Sequence, residues 1–424
     1  MDVVEVSDTR RSIDAVWRIE SARLTAGLAR VTRDLGLAED CAQDALVSAL
    51  EQWPAQGVPD NPGAWLMSVG RRRAVDYFRR QETLARKQVE LGHDLESRSA
   101  SGESELETVE EDIEDDLLRL VFTSCHPVLS PEARTALTLR VLGGLTTEEI
   151  ARAFLVPEST VAQRIVRAKK RLARADVGFE VPAPVDFAER LGSVLEVVYL
   201  IFNEGYAATA GQDWLRPELC HEALRLGRIL AGLLPREPEV HGLVALMEIQ
   251  ASRSRARVGP GGEPVLLLDQ NRGRWDWGQI GRGLAALERA ESLSDSRGPY
   301  AVQAAIAACH ARARTADATD WGRIASLYAD LAALTSSPVV ELNRAVAVSM
   351  AEGPEAGLRV LEPLVDEPSL RGYHLLPSAR ADLLERLGRL GEARAEFERA
   401  AGMTRNERER GVLLARAAGL PVEA

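Results

Sequence analysis

The sequence predicts an all-α protein with several domains, and three observations lead to this fold class. Hydrophobic residues make up 46% of the 424 positions, which is enough to bury a core in more than one domain. From residue 187 onward, apolar residues recur at helical spacing in one segment after another. Alternating patterns typical of strands are nearly absent, and PVLLLDQ at 264–270 is the only short candidate.

Two segments near the N-terminus predict helices with polar faces suited to binding. LAEDCAQDALVSALEQW, residues 37–53, presents Asp40, Gln43 and Asp44 beside apolar residues. PGAWLMSVGRRRAVDYFRR, residues 62–80, combines an apolar side with five arginines over its last ten positions. Such a density of positive charge suits a phosphate backbone.

Residues 146–174 predict two helices joined by a tight turn. Thr146 followed by Glu149 fits a capping box for the first helix, and Pro157 stands where the second can begin. Seven basic residues oppose three acidic ones here, although the whole chain has a net charge of −12. This excess predicts a DNA-binding helix-turn-helix, and an amphipathic core helix with a solvated basic face is the alternative. The apolar residues expected to face the core are Val161, Ile165, Ala168 and Leu172.

The order and spacing of these motifs resemble a known family. AEDxxQDA, then WP, then NPxAWLxxxxRRRAxDxxRR resembles conserved region 2 of bacterial sigma factors of the extracytoplasmic-function group, and residues 117–174 resemble region 4. The chain leaves no room for a region 3, as in that group. Later motifs resemble the subgroup with a DUF6596-type domain and tetratricopeptide-like repeats: YLIFNEGYAATAG (199–211), LLDQNRGRWDW (267–277), GPYAVQAAIAACHA (298–311) and PVVELNRAVAV (338–348).

The resemblance implies a subunit that binds core RNA polymerase and directs promoter recognition, DNA melting and transcription initiation. It implies no catalysis by this chain, because the polymerase performs the chemistry. The expected architecture is a region 2 helical bundle, a region 4 helix-turn-helix and a C-terminal superhelix of helix pairs. The implied domains are region 2 (1–84), an acidic linker (85–116), region 4 (117–180), a DUF6596-like helical domain (185–288) and tetratricopeptide-like repeats (289–424).

The resemblance also assigns contact residues. Those for core polymerase are Asp40, Gln43 and Asp44. Those for the proximal promoter element are Asn61, Trp65, Arg71, Arg72 and Arg73, with Trp65 equally well explained as a core residue. Those for the distal element are Glu158, Ser159, Thr160, Gln163, Arg164, Arg167, Lys170 and Arg171. Arg164 and Arg167 are the leading candidates for guanine or phosphate contacts, whereas Lys169, Lys170 and Arg171 suit phosphates.

The acidity of the chain is concentrated between the two predicted DNA-binding regions. Residues 81–116 carry 13 acidic and 3 basic side chains, and they show little apolar periodicity. This composition predicts a solvated linker. A plain tether is the simpler interpretation. The resemblance allows another, in which the negative charge mimics nucleic acid in the RNA-exit path of the polymerase.

Residues near the C-terminus predict stacked helix pairs. The spacing of small and bulky residues fits a tetratricopeptide pair at Ala381, Leu384, Ala393, Phe397 and Ala400, and a weaker one at Ala345, Val348, Leu361 and Leu364. Arg405 stands where that motif usually has a closing proline, so the fit is incomplete. Such repeats bind a protein or peptide partner, or they exist only to stack.

Seven residues in the extension are expected to make an interdomain or partner contact: Asn203, Glu204, Tyr206, Asp269, Arg272, Arg274 and Trp275. Arg272 and Arg274 can pair with acidic groups of another domain, and Trp275 can anchor an interface. Plain structural support is one alternative. A glycosidase-like pair of carboxylates, Glu204 and Asp269, is another, although nothing in the sequence fixes their separation.

Four cysteines without CxxC spacing predict free thiols, with no metal and no cofactor. No run of 18 apolar residues and no signal-peptide pattern is present, so we expect a cytoplasmic protein without a membrane partner. Two rival functions remain. A helix-turn-helix repressor with a ligand-binding helical domain would not bind core polymerase. An enzyme with a DNA-binding appendage would lose turnover on Glu204→Gln substitution.

Overall fold

The computed structural model describes residues 3–90, 111–208 and 215–421. Within these ranges the chain forms eighteen α-helices, joined by loops and short 3-10 turns, and it has no β-strand. The all-α prediction is confirmed. The chain separates into two compact units, Met1–Val197 and Val198–Ala424.

The first unit contains seven described helices and the start of an eighth. They are α1 (Val3–Thr32), α2 (Leu35–Gln56), α3 (Pro62–Glu90), α4 (Glu111–Ser124), α5 (Pro131–Val141), α6 (Thr147–Phe154), α7 (Glu158–Arg174) and α8 (Pro184–Tyr206). Helices α1 to α3 pack around a core whose largest buried side chains include Leu28, Trp53 and Leu66. Burial of these apolar surfaces is the main source of stability in such a bundle.

Local signals determine where α2 begins and ends. The carboxylate of Asp34 accepts hydrogen bonds from the N–H groups of Gly36 and Leu37, which caps the N-terminus of the helix. Gly57 ends it with a φ of 84°, a conformation that favours glycine, and its N–H donates to the carbonyl of Trp53. Because Trp53 is buried, the polar side of α2 faces outward.

The second unit contains the rest of α8 and ten further helices in the described residues. These are α9 (Pro217–Leu233), α10 (Pro238–Ala251), α11 (Trp277–Leu293), α12 (Pro299–Arg312), α13 (Trp321–Thr335), α14 (Pro338–Glu352), α15 (Pro354–Leu361), α16 (Leu375–Arg386), α17 (Leu390–Met403) and α18 (Glu407–Gly419). From α12 to α18, each helix packs on the next one along the chain. The five residues of the better tetratricopeptide match are fully buried, as their spacing predicts: Ala381, Leu384, Ala393, Phe397 and Ala400.

Three segments differ from their predicted form. The helical spacing of apolar residues predicts a helix over 238–257, but that helix ends at Ala251 and is followed by a 3-10 turn over Ser254–Ala256. The strand candidate at 264–270 contributes only an isolated bridge between Val258 and Pro264. Helices α3 and α4 both extend into the predicted linker, of which residues 91–110 lie outside the described part.

Asp116, predicted to belong to the solvated linker, is buried at the side of α4. Its carboxylate accepts a hydrogen bond from Arg119 at 2.7 Å and lies 3.2 Å from Nε of Arg30 on α1. The ion pairs with these two arginines offset the cost of burying its charge. No helix in the described ranges has the length and apolar character needed to cross a membrane.

Candidate nucleic-acid interface

Helices α6 and α7 form the predicted helix-turn-helix. The hydroxyl of Thr146 accepts a hydrogen bond from the N–H of Glu149 at 3.1 Å, and the carboxylate of Glu149 accepts one from the N–H of Thr146 at 2.8 Å. Both halves of the capping box are therefore present. Leu155 takes a left-handed conformation with a φ of 50° and closes the turn before Pro157, after which α7 begins.

Helix α7 has one buried face and one exposed face. The buried residues are the four that the apolar spacing predicts, Val161, Ile165, Ala168 and Leu172. The exposed residues are Glu158, Ser159, Gln163, Arg167, Lys170 and Arg171, while Thr160 and Arg164 are half-buried. In the described part of the chain, Arg164, Arg167 and Lys170 form no ion pair with an acidic side chain. The positive charges of Arg167 and Lys170 therefore lie exposed on one face, and the half-buried Arg164 lies beside them.

Two other basic residues of α7 are held by the protein itself. Nζ of Lys169 lies 2.5 Å from the carboxylate of Glu39. Nε of Arg171 donates a hydrogen bond to the carbonyl of Val128 at 2.6 Å. Lys169 was expected to touch phosphates, but its charge is directed at α2 in this structure.

The three consecutive arginines of α3 differ in exposure, because neighbouring residues of a helix point in different directions. Arg72 is exposed and its Nε donates to the carbonyl of Ser68 at 3.3 Å. Arg73 is exposed as well, with Nε 3.9 Å from the carboxylate of Asp44 on α2. Arg71 is half-buried. The structure thus brings one residue assigned to the proximal element beside one assigned to core polymerase.

Asn61 and Trp65 both have local structural roles at the start of α3. The side-chain oxygen of Asn61 accepts a hydrogen bond from the N–H of Ala64 at 3.0 Å, which caps the helix. The ring of Trp65 packs edge-on against Trp53, with 5.3 Å between ring centroids, and it remains half-buried. The packing role considered for Trp65 is therefore present.

The face of α2 assigned to core polymerase is accessible. Asp40 and Asp44 are exposed and Gln43 is half-buried. Partial burial raises the pKa of Asp40, although the positive charge of Lys169 acts to lower it. The negative charge of the neighbouring Glu39 adds to the rise.

Glu39, which the sequence reading did not single out, lies buried between two cations. Its carboxylate is 2.5 Å from Nε of Arg140 on α5 and 2.5 Å from Nζ of Lys169 on α7. Burial opposes ionisation of this group, but Lys169 and Arg140 more than offset it and lower the pKa of Glu39. Arg140 is 101 positions away along the chain, so no local pattern reveals the pairing.

The residues singled out in the extension fall in three kinds of environment. Glu204 forms an ion pair with Arg216, and Asn203 and Tyr206 beside it are half-buried. Asp269 and Arg274 are exposed. Arg272 and Trp275 are buried.

Arg272 and Trp275 contribute to the interior of the second unit. Arg272 donates hydrogen bonds to the carbonyls of His310 and Ala313 at the C-terminal end of α12, at 2.5 and 2.6 Å. A cation at this end of a helix also interacts favourably with the helix dipole. No acidic side chain of the described residues pairs with Arg272, and Trp275 is 3% exposed within a core cluster. Arg272 therefore caps α12 where an acidic partner was expected, and Trp275 is a core residue where an interface anchor was expected.

The described residues contain no group of three or more His, Cys, Asp or Glu side chains arranged to hold a metal ion. The cysteines are free thiols; Cys41, Cys125 and Cys220 are buried and Cys309 is half-buried. Burial raises the pKa of Cys220 to about 12, so this thiol stays protonated at neutral pH and is a poor nucleophile.

Comparison with known proteins finds two sigma-factor domains in the first unit. Residues 19–83 match the family described as Sigma-70 region 2, and residues 119–172 match Sigma-70, region 4. The probable ECF RNA polymerase sigma factor SigI of Mycobacterium tuberculosis is 26% identical over 171 residues. The chain carries the region 2 and region 4 domains of sigma-70 proteins and is similar, at low identity, to extracytoplasmic-function sigma factors. As a sigma factor it directs transcription initiation, and its two sigma domains imply interaction with core RNA polymerase and promoter DNA.

The similarity to named sigma factors spans less than half of the chain. The SigI alignment spans 40% of the chain and 57% of SigI, and SigK of Mycobacterium ulcerans is 28% identical over 32% of the chain and 71% of SigK. An uncharacterised protein of Rhizobium meliloti is 46% identical over 90% of the chain and 89% of its own length. Residues 190–291 match a family of unknown function, DUF6596. No solved structure matches significantly.

Proposed function

We propose that three helices of the first unit divide the work of this sigma factor. Helix α2 binds core polymerase through Asp40, Gln43 and Asp44. Helix α3 and the loop before it bind the proximal promoter element, and α7 enters the major groove at the distal element. The observation that carries the proposal is the exposed face of α7, where Arg167 and Lys170 form no ion pair with an acidic side chain of the described residues.

The spacing on α7 suggests which residues read bases. Ser159, Gln163 and Arg167 follow one another at intervals of four, so they share one exposed face. An arginine in the major groove can bind guanine O6 and N7 with two hydrogen bonds. We therefore assign base reading to Arg167, with Glu158, Thr160 and Arg164 near the same edge, and phosphate contacts to Lys170 and Arg171.

At the proximal element, Arg71, Arg72 and Arg73 hold the backbone of the opened strand. Single-stranded DNA is bound by basic grooves together with surfaces on which bases stack. Asn61 fixes the start of α3 as its cap, and Trp65, supported by Trp53, shapes the pocket for an unstacked base. The polymerase makes and breaks the bonds, and the sigma factor works with it in the cytoplasm.

We assign residues 1–84 to region 2, 85–116 to the linker, 117–180 to region 4, 185–288 to the DUF6596-like domain and 289–424 to the repeats. The extension modulates activity, and its repeats offer a surface to a protein or peptide partner. Helix α8 supports the view that the extension is more than a tether, because its first turns contact region 4. The ring centroids of Phe187 and Phe122 lie 5.5 Å apart, and Arg190 and Ser193 donate to the carbonyls of Phe122 and Cys125.

Substitutions on α7 test the proposal in run-off transcription and DNA binding with purified core polymerase. Arg167→Ala should weaken binding by about 1–3 kcal/mol, with a loss that depends on the distal-element sequence. Lys170→Ala should weaken binding to all DNA sequences alike, and it should reduce the slope of log K against log salt by about one unit. Arg152→Ala is the matched control, since Arg152 is exposed on α6 and pairs with Glu148 at 3.5 Å.

The outcomes separate the competing functions. If Arg167→Ala and Lys170→Ala behave alike on every sequence, the division between base and phosphate contacts is wrong. If the protein binds a specific DNA site but not core polymerase, it is a repressor and the assignment of α2 fails.

A further inference from the structure

The second unit places two basic side chains against Tyr206, the half-buried Arg253 and the buried Arg257. Arg253, just after α10, donates a hydrogen bond from Nη2 to the hydroxyl of Tyr206 at 2.6 Å. Arg257 lies over the ring of the same tyrosine, with Cζ 3.6 Å from its centroid. Arg272 stacks on Trp275, with Cζ 4.6 Å from the ring, and its 3-10 turn contacts the turn that carries Arg255. Several guanidinium groups are thereby gathered in one part of the interior.

The charges of Arg253 and Arg272 are not neutralised by protein carboxylates. Within the described residues neither arginine forms an ion pair with Asp or Glu, and Arg272 is 8% exposed. Most buried or half-buried cations of this unit have such a partner, for example Arg225, whose Nη2 is 2.6 Å from Glu222. Two cations gathered in a partly desolvated interior without a counter-ion are unfavourable. A bound anion would remove that cost.

Hydrogen-bonding capacity in the same place is also unused. Nε of Arg253, Nε1 of Trp275 and Nδ1 of His310 are buried and have no hydrogen-bond partner in the described part of the chain. Burial, with Arg253 and Arg272 nearby, lowers the pKa of His310 to about 4, so the ring is neutral near pH 7. A neutral imidazole carries one N–H, and in one tautomer Nδ1 is that donor. Buried donors without acceptors are costly, which points to an acceptor-rich occupant.

Arg253 is the residue best suited to hold this occupant. Nη1 of Arg272 is already used on two carbonyls at the end of α12, so Arg272 contributes mainly its positive field. Within the described residues, Arg253 donates a hydrogen bond to Tyr206, and its Nε has no acceptor. The planar fork of a guanidinium matches the two oxygens of a carboxylate or a phosphate.

We propose that Arg253, assisted by Arg272 and His310, forms a binding site in the C-terminal unit for a small anion that carries a carboxylate or a phosphate group. The proposal is independent of the sigma activity, since it concerns a ligand of the extension. A ligand that binds only the folded unit raises its stability, and the size of the rise follows from its concentration and its Kd.

Thermal unfolding of the full chain with added anions tests the site. The probes are inorganic phosphate, acetate and citrate, each compared with chloride at equal ionic strength. For one class we expect Tm to rise with the logarithm of the anion concentration, by about 5–10 °C when the anion reaches about one hundred times its Kd. A rise with phosphate alone identifies the phosphate class, and a rise with acetate or citrate alone identifies carboxylates.

Two variants of Arg253 and one control assign the effect to this residue. Arg253→Gln should abolish the rise, and Arg253→Lys, which keeps the charge without the fork, should bind at least about tenfold more weakly. Arg255→Gln is the matched control, because Arg255 is exposed on the adjacent turn, and it should respond as the wild type does. If Arg253→Gln fails to fold, Arg253→Lys decides, measured by isothermal titration calorimetry with the same anion. Equal shifts for chloride and every probe, or full retention in the Arg253 variants, would overturn the proposal.

Discussion

Glu39→Gln is expected to destabilise the first unit, because it removes the shared partner of two cations. The Glu39 carboxylate is 5% exposed and contacts both Arg140 and Lys169 at 2.5 Å. Breaking a buried ion pair by removing one partner typically costs about 3–5 kcal/mol. We expect the lower end, about 3 kcal/mol, because the Arg140 and Lys169 side chains remain 19% and 20% exposed and can turn partly toward water.

For a unit of this size, about 3 kcal/mol corresponds to a fall in Tm of about 6–12 °C. Differential scanning calorimetry of the full chain measures the transition of the first unit. Glu148→Gln is the control with the same chemical change, because the Glu148–Arg152 pair is largely exposed and contributes about 0.5 kcal/mol or less. An unchanged Tm in Glu39→Gln would refute the assignment of the ion pairs as a stabilising link between α2, α5 and α7.

The same pair predicts how the variant responds to acid. The folded-state pKa of Glu39 lies below its ordinary value of 4.5. Its ionised carboxylate therefore contributes stability above pH 4.5, and this contribution is lost as the pH falls through the lower folded pKa. The difference in Tm between wild type and Glu39→Gln should be largest near neutral pH and shrink in acid. A difference that grows in acid would contradict the depressed pKa.

Two other predictions concern binding and the extension. The double variant Asp40→Ala, Gln43→Ala should bind core polymerase about tenfold or more weakly at unchanged Tm, since hydrogen bonds to charged groups contribute about 1.5–3 kcal/mol. A pull-down assay compares this variant with the control Glu51→Ala, Gln52→Ala, whose residues are exposed on the same helix. Equal affinities of the two variants would remove α2 from the interface. Ending the chain after Val197 should lower reporter output from the cognate promoter, with protein levels checked by immunoblot. Ending it after Pro184 should lower Tm as well, because this truncation removes the contacts of α8 with Phe122 and Cys125. A stable truncated protein with higher output would make the extension an inhibitor.

The parts of the structure that the sequence predicted correctly depend on local patterns. The capping box of Thr146, the buried face of α7 and the buried residues of the α16–α17 pair each follow from spacings within about one helix or hairpin. Such patterns are readable because the interacting groups are close in sequence.

The parts that the sequence could not predict depend on groups that meet only in the folded chain. Glu39 looks like an ordinary surface acid beside Asp40, yet folding buries it between α5 and α7. Arg272 looks like a surface cation in a polar motif, yet it caps α12 through backbone carbonyls, which leave no side-chain signature in sequence. The end of α10 at Ala251 was missed as well, since no proline or glycine follows it directly.

The basic residues of the helix-turn-helix show why the charge count overstates the DNA contact. Seven basic residues occupy 146–174. Arg152 pairs with Glu148, and Lys169 pairs with Glu39. About five cations then remain for phosphates. On a duplex that carries only the distal element, the slope of log K against log salt should be about −4.5 rather than about −6, because each neutralised phosphate contributes about −0.9. A measured slope near −6 would mean that Arg152 and Lys169 leave their acidic partners when the helix binds DNA.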